Sequence, residues 1–187
     1  YIRAAVDHTN NVAAPPPIPT SAGVSAARDL FYEAAKLQAG QLVVFSALPF
    51  SALEGFHRAA QLTKAALGTG RRAIYVTNAS IEEGSNGIAG LRQLQLAELD
   101  VQKLFSSLSE SAVIVNFLLD AAVRPYFQYA KNRGLTTYLD LQELDLGLHV
   151  SDVSLLPYFA EAASAVCVSG KKSRDRLAGI RTAHVVD

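Results

Sequence analysis

The sequence predicts an α/β fold: an open, mostly parallel, doubly wound sheet with helices on both faces, preceded by a proline-rich N-terminal arm and a helix. Three observations predict it. From Gln41 onward, short apolar runs rich in β-branched residues alternate with stretches that carry apolar residues at helical spacing. Most of the short runs are continuously apolar, as strands of a parallel sheet covered on both faces are. The chain has 187 residues, 50% of them hydrophobic, enough to bury a core of that size.

Residues 11–24, NVAAPPPIPTSAGV, hold three successive prolines, which fit neither a helix nor a central strand, so residues 1–24 are expected to be an arm or linker. The doubly wound domain is expected over 25–187. Its first element is an amphipathic helix over 25–39, with Ser25 as N-cap and Gly40 as stop. The sheet begins at 41. QLVVFSAL reads as a strand, FHRAAQLTKAALG as a helix and RAIYVTN as a strand, together a β-α-β unit. IEEGSNGIAG reads as a polar loop, LRQLQL alternates as a strand does, and AELDVQKLFSSLSE is helical. SESAVIVNF, LTTYLDL, AVCVS and AHVVD supply four further strands, separated by helices in AAVRPYFQYAKNRG, SLLPYFAEAAS and KSRDRLAG.

Lysine plus arginine and aspartate plus glutamate number 17 each, so no net field draws the chain to nucleic acid, and no basic block does so locally. The single Cys167 excludes an internal disulfide framework. No uncharged apolar stretch reaches the roughly 18 residues of a transmembrane helix, and the first residues lack the n-region and h-region pattern of a signal peptide, so export is not expected. A cytoplasmic setting is expected, with peripheral membrane contact still compatible. Methionine is absent throughout, so the chain is expected to be a fragment or processed form, or to have lost its methionine-type residues.

Two glycine signals compete for a ligand. Gly68-Thr69-Gly70-Arg71-Arg72-Ala73 fits the dinucleotide-binding spelling G-x-G-x-x-G/A. That fingerprint works only where a strand ends and a helix begins, because the helix N-terminus faces the pyrophosphate. Here the order is reversed, helix before strand, so the glycines are expected to stop the helix and make a tight turn. Gly55 instead follows the first strand, where ligands bind in open α/β sheets, and the helix start beside it favours an anion, although the stretch reads equally as an ordinary βα loop.

Other signals carry less. SGKKS would need glycine at 165 and serine or threonine at 172 to be a phosphate loop, and those positions hold Ala165 and Lys172. No G-x-S-x-G elbow occurs. His8, His57, His149 and His184 lack metal-ligand spacing, so no metal site is expected. Cys167, inside an apolar strand, reads as a small buried hydrophobe. Asn78-Ala79-Ser80 spells a glycosylation sequon, relevant only to a secreted chain.

Polar residues at strand ends are more informative. A parallel sheet sends all its carboxyl ends to one side, which brings Gly55, His57, Arg58, Asn116, Asp140, Glu143 and Ser169 to one mouth. Each of the polar ones could also simply cap the next helix. Together they outline a polar cleft, in which Arg58 suits an anionic group and Asp140 or Glu143 suits hydroxyl donors.

The order of these motifs resembles the N-terminal half of GT-B glycosyltransferases, especially the retaining group that includes glycogen synthase-like enzymes. That family opens with a strand, a glycine-containing loop and a helix leading into L…G-H-x-V-x-V-x-T. EGFHRAAQLTKAALGTGRRAIYVTN is similar in Gly55, Arg58, Leu67, Gly70 and the Tyr75-Val76-Thr77 strand end. GLTTYLDLQEL resembles the family's strand with an acidic residue or histidine near the acceptor, and AEAASAVCVSGKKSRDRL its segment before the crossover. The chain departs from the pattern at Glu54, in place of a glycine, at Arg71, in place of a histidine, and at Asn116, where many members carry histidine or aspartate.

The resemblance implies a Rossmann-like domain that binds mainly the acceptor, within an enzyme that transfers a sugar from a nucleotide-sugar to a glycan. The nucleotide-sugar is then a co-substrate, no further cofactor is expected, and Gly55, His57, Arg58, Asn116, Asp140, Glu143 and Ser169 serve binding. No residue is assigned to catalysis. The second domain, with most donor contacts, is expected to be absent from this chain, which alone would be inactive. The alternative is a non-catalytic Rossmann-like module for interaction or regulation.

Overall fold

The computed structural model describes residues 40–50, 58–81, 88–141 and 152–168, and positions 175, 177, 180, 185 and 186. The arm over 1–24, the helix over 25–39 and most of the helix over 172–179 lie outside the described residues.

Among the described residues seven strands form one sheet: β1 (Leu42–Ser46), β2 (Ala73–Thr77), β3 (Leu91–Gln95), β4 (Val113–Asn116), β5 (Thr136–Asp140), β6 (Ala165–Cys167) and the two-residue β7 (Val185–Val186). Their order is β3-β2-β1-β4-β5-β6-β7, and every pairing is parallel. The chain winds outward from β1 to β3, then crosses back to β4 and winds the other way. The switch point therefore falls between β1 and β4, as in doubly wound dinucleotide-binding sheets.

Alternation along the buried strands divides the core in two. On one face Leu42, Val44, Tyr75, Val113 and Val115 pack beneath Ala59, Ala60 and Ala66 of α1 (Arg58–Gly68). On the other, Val43, Phe45, Ile74, Ile114, Leu139 and Val166 pack beneath α2 (Val101–Ser106), α3 (Arg124–Asn132) and α4 (Leu156–Ala162). This division arises from winding. Right-handed crossovers running in opposite directions along one sheet must cover opposite faces.

α3 and α4 begin alike, for a reason written in the chain. Residues 120–130 and 152–162 share the spelling D-x-x-x-x-P-Y-F-x-x-A. Asp120 accepts from the Ala122 amide at 2.8 Å and Asp152 from the Ser154 amide at 3.0 Å, each opening a 3-10 turn that leads into a helix with proline in its first turn. Phe127 and Phe159 then meet edge to face, with centroids 5.3 Å apart, and each tyrosine hydroxyl donates to a carbonyl of the preceding unit: Tyr126 to Leu99, and Tyr158 to Arg124 at 3.1 Å. The predicted helix over 97–110 is shorter in the structure, because Asp100 caps Lys103 at 2.8 Å and starts α2 only at Val101.

Candidate functional site

At the amino edge of the sheet, main-chain bonds end α1, while the Gln41 and Ser164 side chains accept from the Ser109 and Thr137 amides at 3.1 Å each. At the end of α1, the Gly70 amide donates to Leu67 at 2.9 Å and the Arg71 amide to Ala66 at 3.1 Å, the bond pair of a Schellman stop. Gly70 has φ +80°, the left-handed conformation this stop requires. The G-x-G-x-x-A spelling thus ends a helix at the edge remote from the strand ends. Beside it, a β-carbon added to Gly40 would lie 2.1 Å from the Ser111 carbonyl oxygen, so the segments entering β1 and β4 approach closely only because Gly40 has none.

The carboxyl edge is built from side chains. The last residue of β1, β2 and β4 each turns the chain by the same local bond. Ser46 Oγ accepts from the Leu48 amide at 3.2 Å, Thr77 Oγ1 from the Ala79 amide at 3.1 Å, and Asn116 Oδ1 from the Leu118 amide at 3.0 Å. Asn116 Nδ2 also donates to the Leu118 carbonyl at 2.8 Å. These are serine, threonine and asparagine turns. They start the loops at the mouth, and Asn116, fully buried, shapes its loop from within. Tyr75 adds a tether, donating from Oη to the Leu48 carbonyl at 3.0 Å while its ring meets Phe50 at 5.5 Å.

Two of the residues predicted for the mouth meet there. Arg58, the first residue of α1, donates from Nε to Oδ2 of Asp140, the last residue of β5, at 2.7 Å. The Asp140 side chain is fully buried and that of Arg58 is 22% exposed, so the pair is largely withdrawn from water and sensitive to loss of either partner. It fixes the first turn of α1, and with it the point where segment 51–57 rejoins the described chain, against the end of β5.

Cys167 pairs with Asp140 in the sheet register, and its thiol is pushed up to about 12, first by burial and then by the Asp140 charge, with Arg58 opposing. At neutral pH it is a protonated, inert thiol beside the ion pair. Tyr138 is also raised, by burial and then by Cys167. Gly55, His57, Glu143 and Ser169 lie outside the described residues. Ser46 was not singled out from the sequence, and Thr77, noted there as a strand end, was not placed at the mouth, although each closes a strand as Asn116 does. Among the described residues no cluster of histidine, cysteine, aspartate and glutamate is placed to hold a metal ion, and no helix is long and apolar enough to cross a membrane.

The fold and this edge together define an open, doubly wound, all-parallel α/β domain with its switch point between β1 and β4. No protein-family model, curated protein or solved structure matches the chain.

Proposed function

We propose that this chain is the acceptor-side, N-terminal domain of a GT-B glycosyltransferase, acting on a nucleotide-sugar donor and a glycan acceptor. The observation that carries the reading is the Arg58–Asp140 pair. It joins the helix after β1 to the end of β5, two segments on which the resemblance to that family rests. Strand order and the all-parallel pairing support it. In this reading Asp140 positions Arg58 and the first turn of α1, the Gly55 loop approaches the donor phosphates, and His57, Glu143 and Ser169 border the acceptor. The setting is cytoplasmic, and the chemistry is completed by a second domain.

A second reading has its own observation. The polar atoms of Asn116 are met by the Leu118 backbone and Asp140 is met by Arg58, as in a module whose strand ends are purely structural and whose role is interaction or regulation. Transfer assays decide between the two. The full-length protein, incubated with radiolabelled UDP-, GDP- and ADP-sugars and oligosaccharide acceptors, is expected to transfer label. Absence of transfer and of binding across the donor panel would leave the interaction module.

A further inference from the structure

The strands on the other side of the switch point hold a second feature at the carboxyl edge. A cleft of about 220 Å³ opens between the ends of β2 and β3 and the loop after β4. The buried Thr77 and the exposed Asn78 line it from β2, Gln95 from the end of β3, and Asp120 from the start of the turn before α3. Leu96, Ala97 and Ala122 give it an apolar wall.

The chemistry of the lining selects a ligand class. No lysine or arginine lines the cleft among the described residues, so nothing there compensates a phosphate or carboxylate. Asn78 and Gln95 each carry a primary amide, which both donates and accepts, and neither side chain hydrogen-bonds another described residue. Asp120 commits Oδ1 to the Ala122 amide at 2.8 Å, and its second carboxylate oxygen keeps accepting capacity. Two amides and a carboxylate facing an aliphatic wall match a ring that is hydroxylated on its rim and C–H on its face. At about 220 Å³ the cleft is smaller than the roughly 300–1,000 Å³ of sites for drug-sized ligands, which limits a ligand there to about one such ring.

We propose that the cleft between Asn78, Gln95 and Asp120 is a subsite for one uncharged sugar ring. It rests on the glycosyl-transfer reading in one respect, that the bound ring is a residue of the acceptor. It extends the mouth to the β2–β3 side, away from the Arg58–Asp140 pair on β5.

Saturation-transfer NMR on the 187-residue chain, with methyl glycosides of glucose, galactose and mannose as probes, tests the subsite. At least one glycoside is expected to receive saturation at its ring protons, undisturbed by excess inorganic phosphate. Asn78→Ala and Gln95→Ala should each weaken binding at least tenfold, and Ala97→Trp, which fills the cleft from an exposed position and removes no polar group, should abolish it. Silence from all three glycosides, displacement by phosphate, or binding unchanged in these variants would overturn the proposal. Assays of the full-length protein separate it from the parent reading. Transfer with an unaltered acceptor KM in Gln95→Ala removes the subsite and keeps the transferase, whereas glycoside binding lost in Gln95→Ala, without turnover of any nucleotide-sugar, keeps the subsite and removes the transferase.

Discussion

The two edges of the sheet solve the same problem, reversing the chain between a helix and a strand, with different chemistry. The amino edge relies on glycine at three entries, since Gly70, Gly90 and Gly134 all have positive φ and each lies just before a strand, with Gln41 and Ser164 adding side-chain acceptors for the Ser109 and Thr137 amides. The carboxyl edge uses polar side chains, with Ser46, Thr77 and Asn116 turning the chain and Asp120 and Asp152 capping the 3-10 turns that open α3 and α4. Of these groups Asp120 and Asp152 stay in reach of solvent, whereas Ser46, Thr77 and Asn116 are buried and shape the loops from within. A glycine-rich spelling therefore needs its edge before it means anything, and the letters 68–73 acquire the wrong meaning when read without it.

Substitutions that separate the edges should separate stability from binding. The largest effect is expected at Gly40, where any β-carbon meets the Ser111 carbonyl at 2.1 Å and the backbone must move. Gly40→Ala should cost about 3 kcal/mol in urea unfolding, with the glycoside binding of the remaining folded fraction unchanged. Weaker glycoside binding in that fraction would mean that the amino edge communicates with the mouth.

Next comes Arg58→Ala. It strands the buried Asp140 carboxylate, and because Arg58 is 22% exposed the cost should fall below that of a fully buried pair, at about 2–3 kcal/mol. Under the proposed glycosyl transfer, the activity of the full-length protein should drop about tenfold or more in Arg58→Ala and in Asp140→Asn, equivalent to about 1.4 kcal/mol of transition-state stabilisation. A double-mutant cycle that combines the two changes should show strong coupling in stability. Coupling in stability with parent-rate transfer would make the pair purely structural.

Gly70→Ala is smaller. It places a β-carbon in open space but at φ +80°, costing about 1 kcal/mol. Glycoside and nucleotide-sugar affinity should be untouched. Lost nucleotide-sugar affinity at unchanged melting temperature would return the fingerprint reading to 68–73.

A pH dependence, confined to alkaline conditions, comes last. The folded Cys167 thiol lies at about 12 against an ordinary value of 9.0. Below the ordinary value both states hold the proton and the stability is fully present. As pH rises through the window from about 9 toward about 12, the unfolded thiol ionises first and stability is progressively lost. Urea unfolding of Cys167→Ala should therefore decline less steeply with pH in that window, and thiol-labelling reagents at pH 8 should modify the parent only on unfolding. Rapid labelling of the native chain would contradict the burial.

Much of the fold was legible because it is local. The runs that became β1 through β6 stand out as short apolar or alternating segments, and Gly70 and Gly134 come after helical stretches as helix stops do. Boundaries were less legible where a polar residue inside a periodic stretch acts as a cap: Asp100 trims the predicted helix over 97–110, and Asp120 and Asp152 place 3-10 turns before α3 and α4. At the mouth, Arg58 and Asp140 were marked by their positions after strands, but the same reasoning expected them to face ligand. Their mutual bond, and the commitment of Asn116 to Leu118, depend on side-chain distances that no spacing rule contains.

By itself the sequence determined the elements, their alternation and hence the parallel class of the sheet, since periodicity, glycine and proline act within a few residues of themselves. The tertiary structure decided which strand lies beside which. That order brought Arg58 to Asp140 across 82 positions of chain and gathered Asn78, Gln95 and Asp120 around one cleft from the ends of β2 and β3 and the loop after β4. The physical reason is that strand order is fixed by the joint packing of both sheet faces and the handedness of each crossover, and these are properties of the assembled layers.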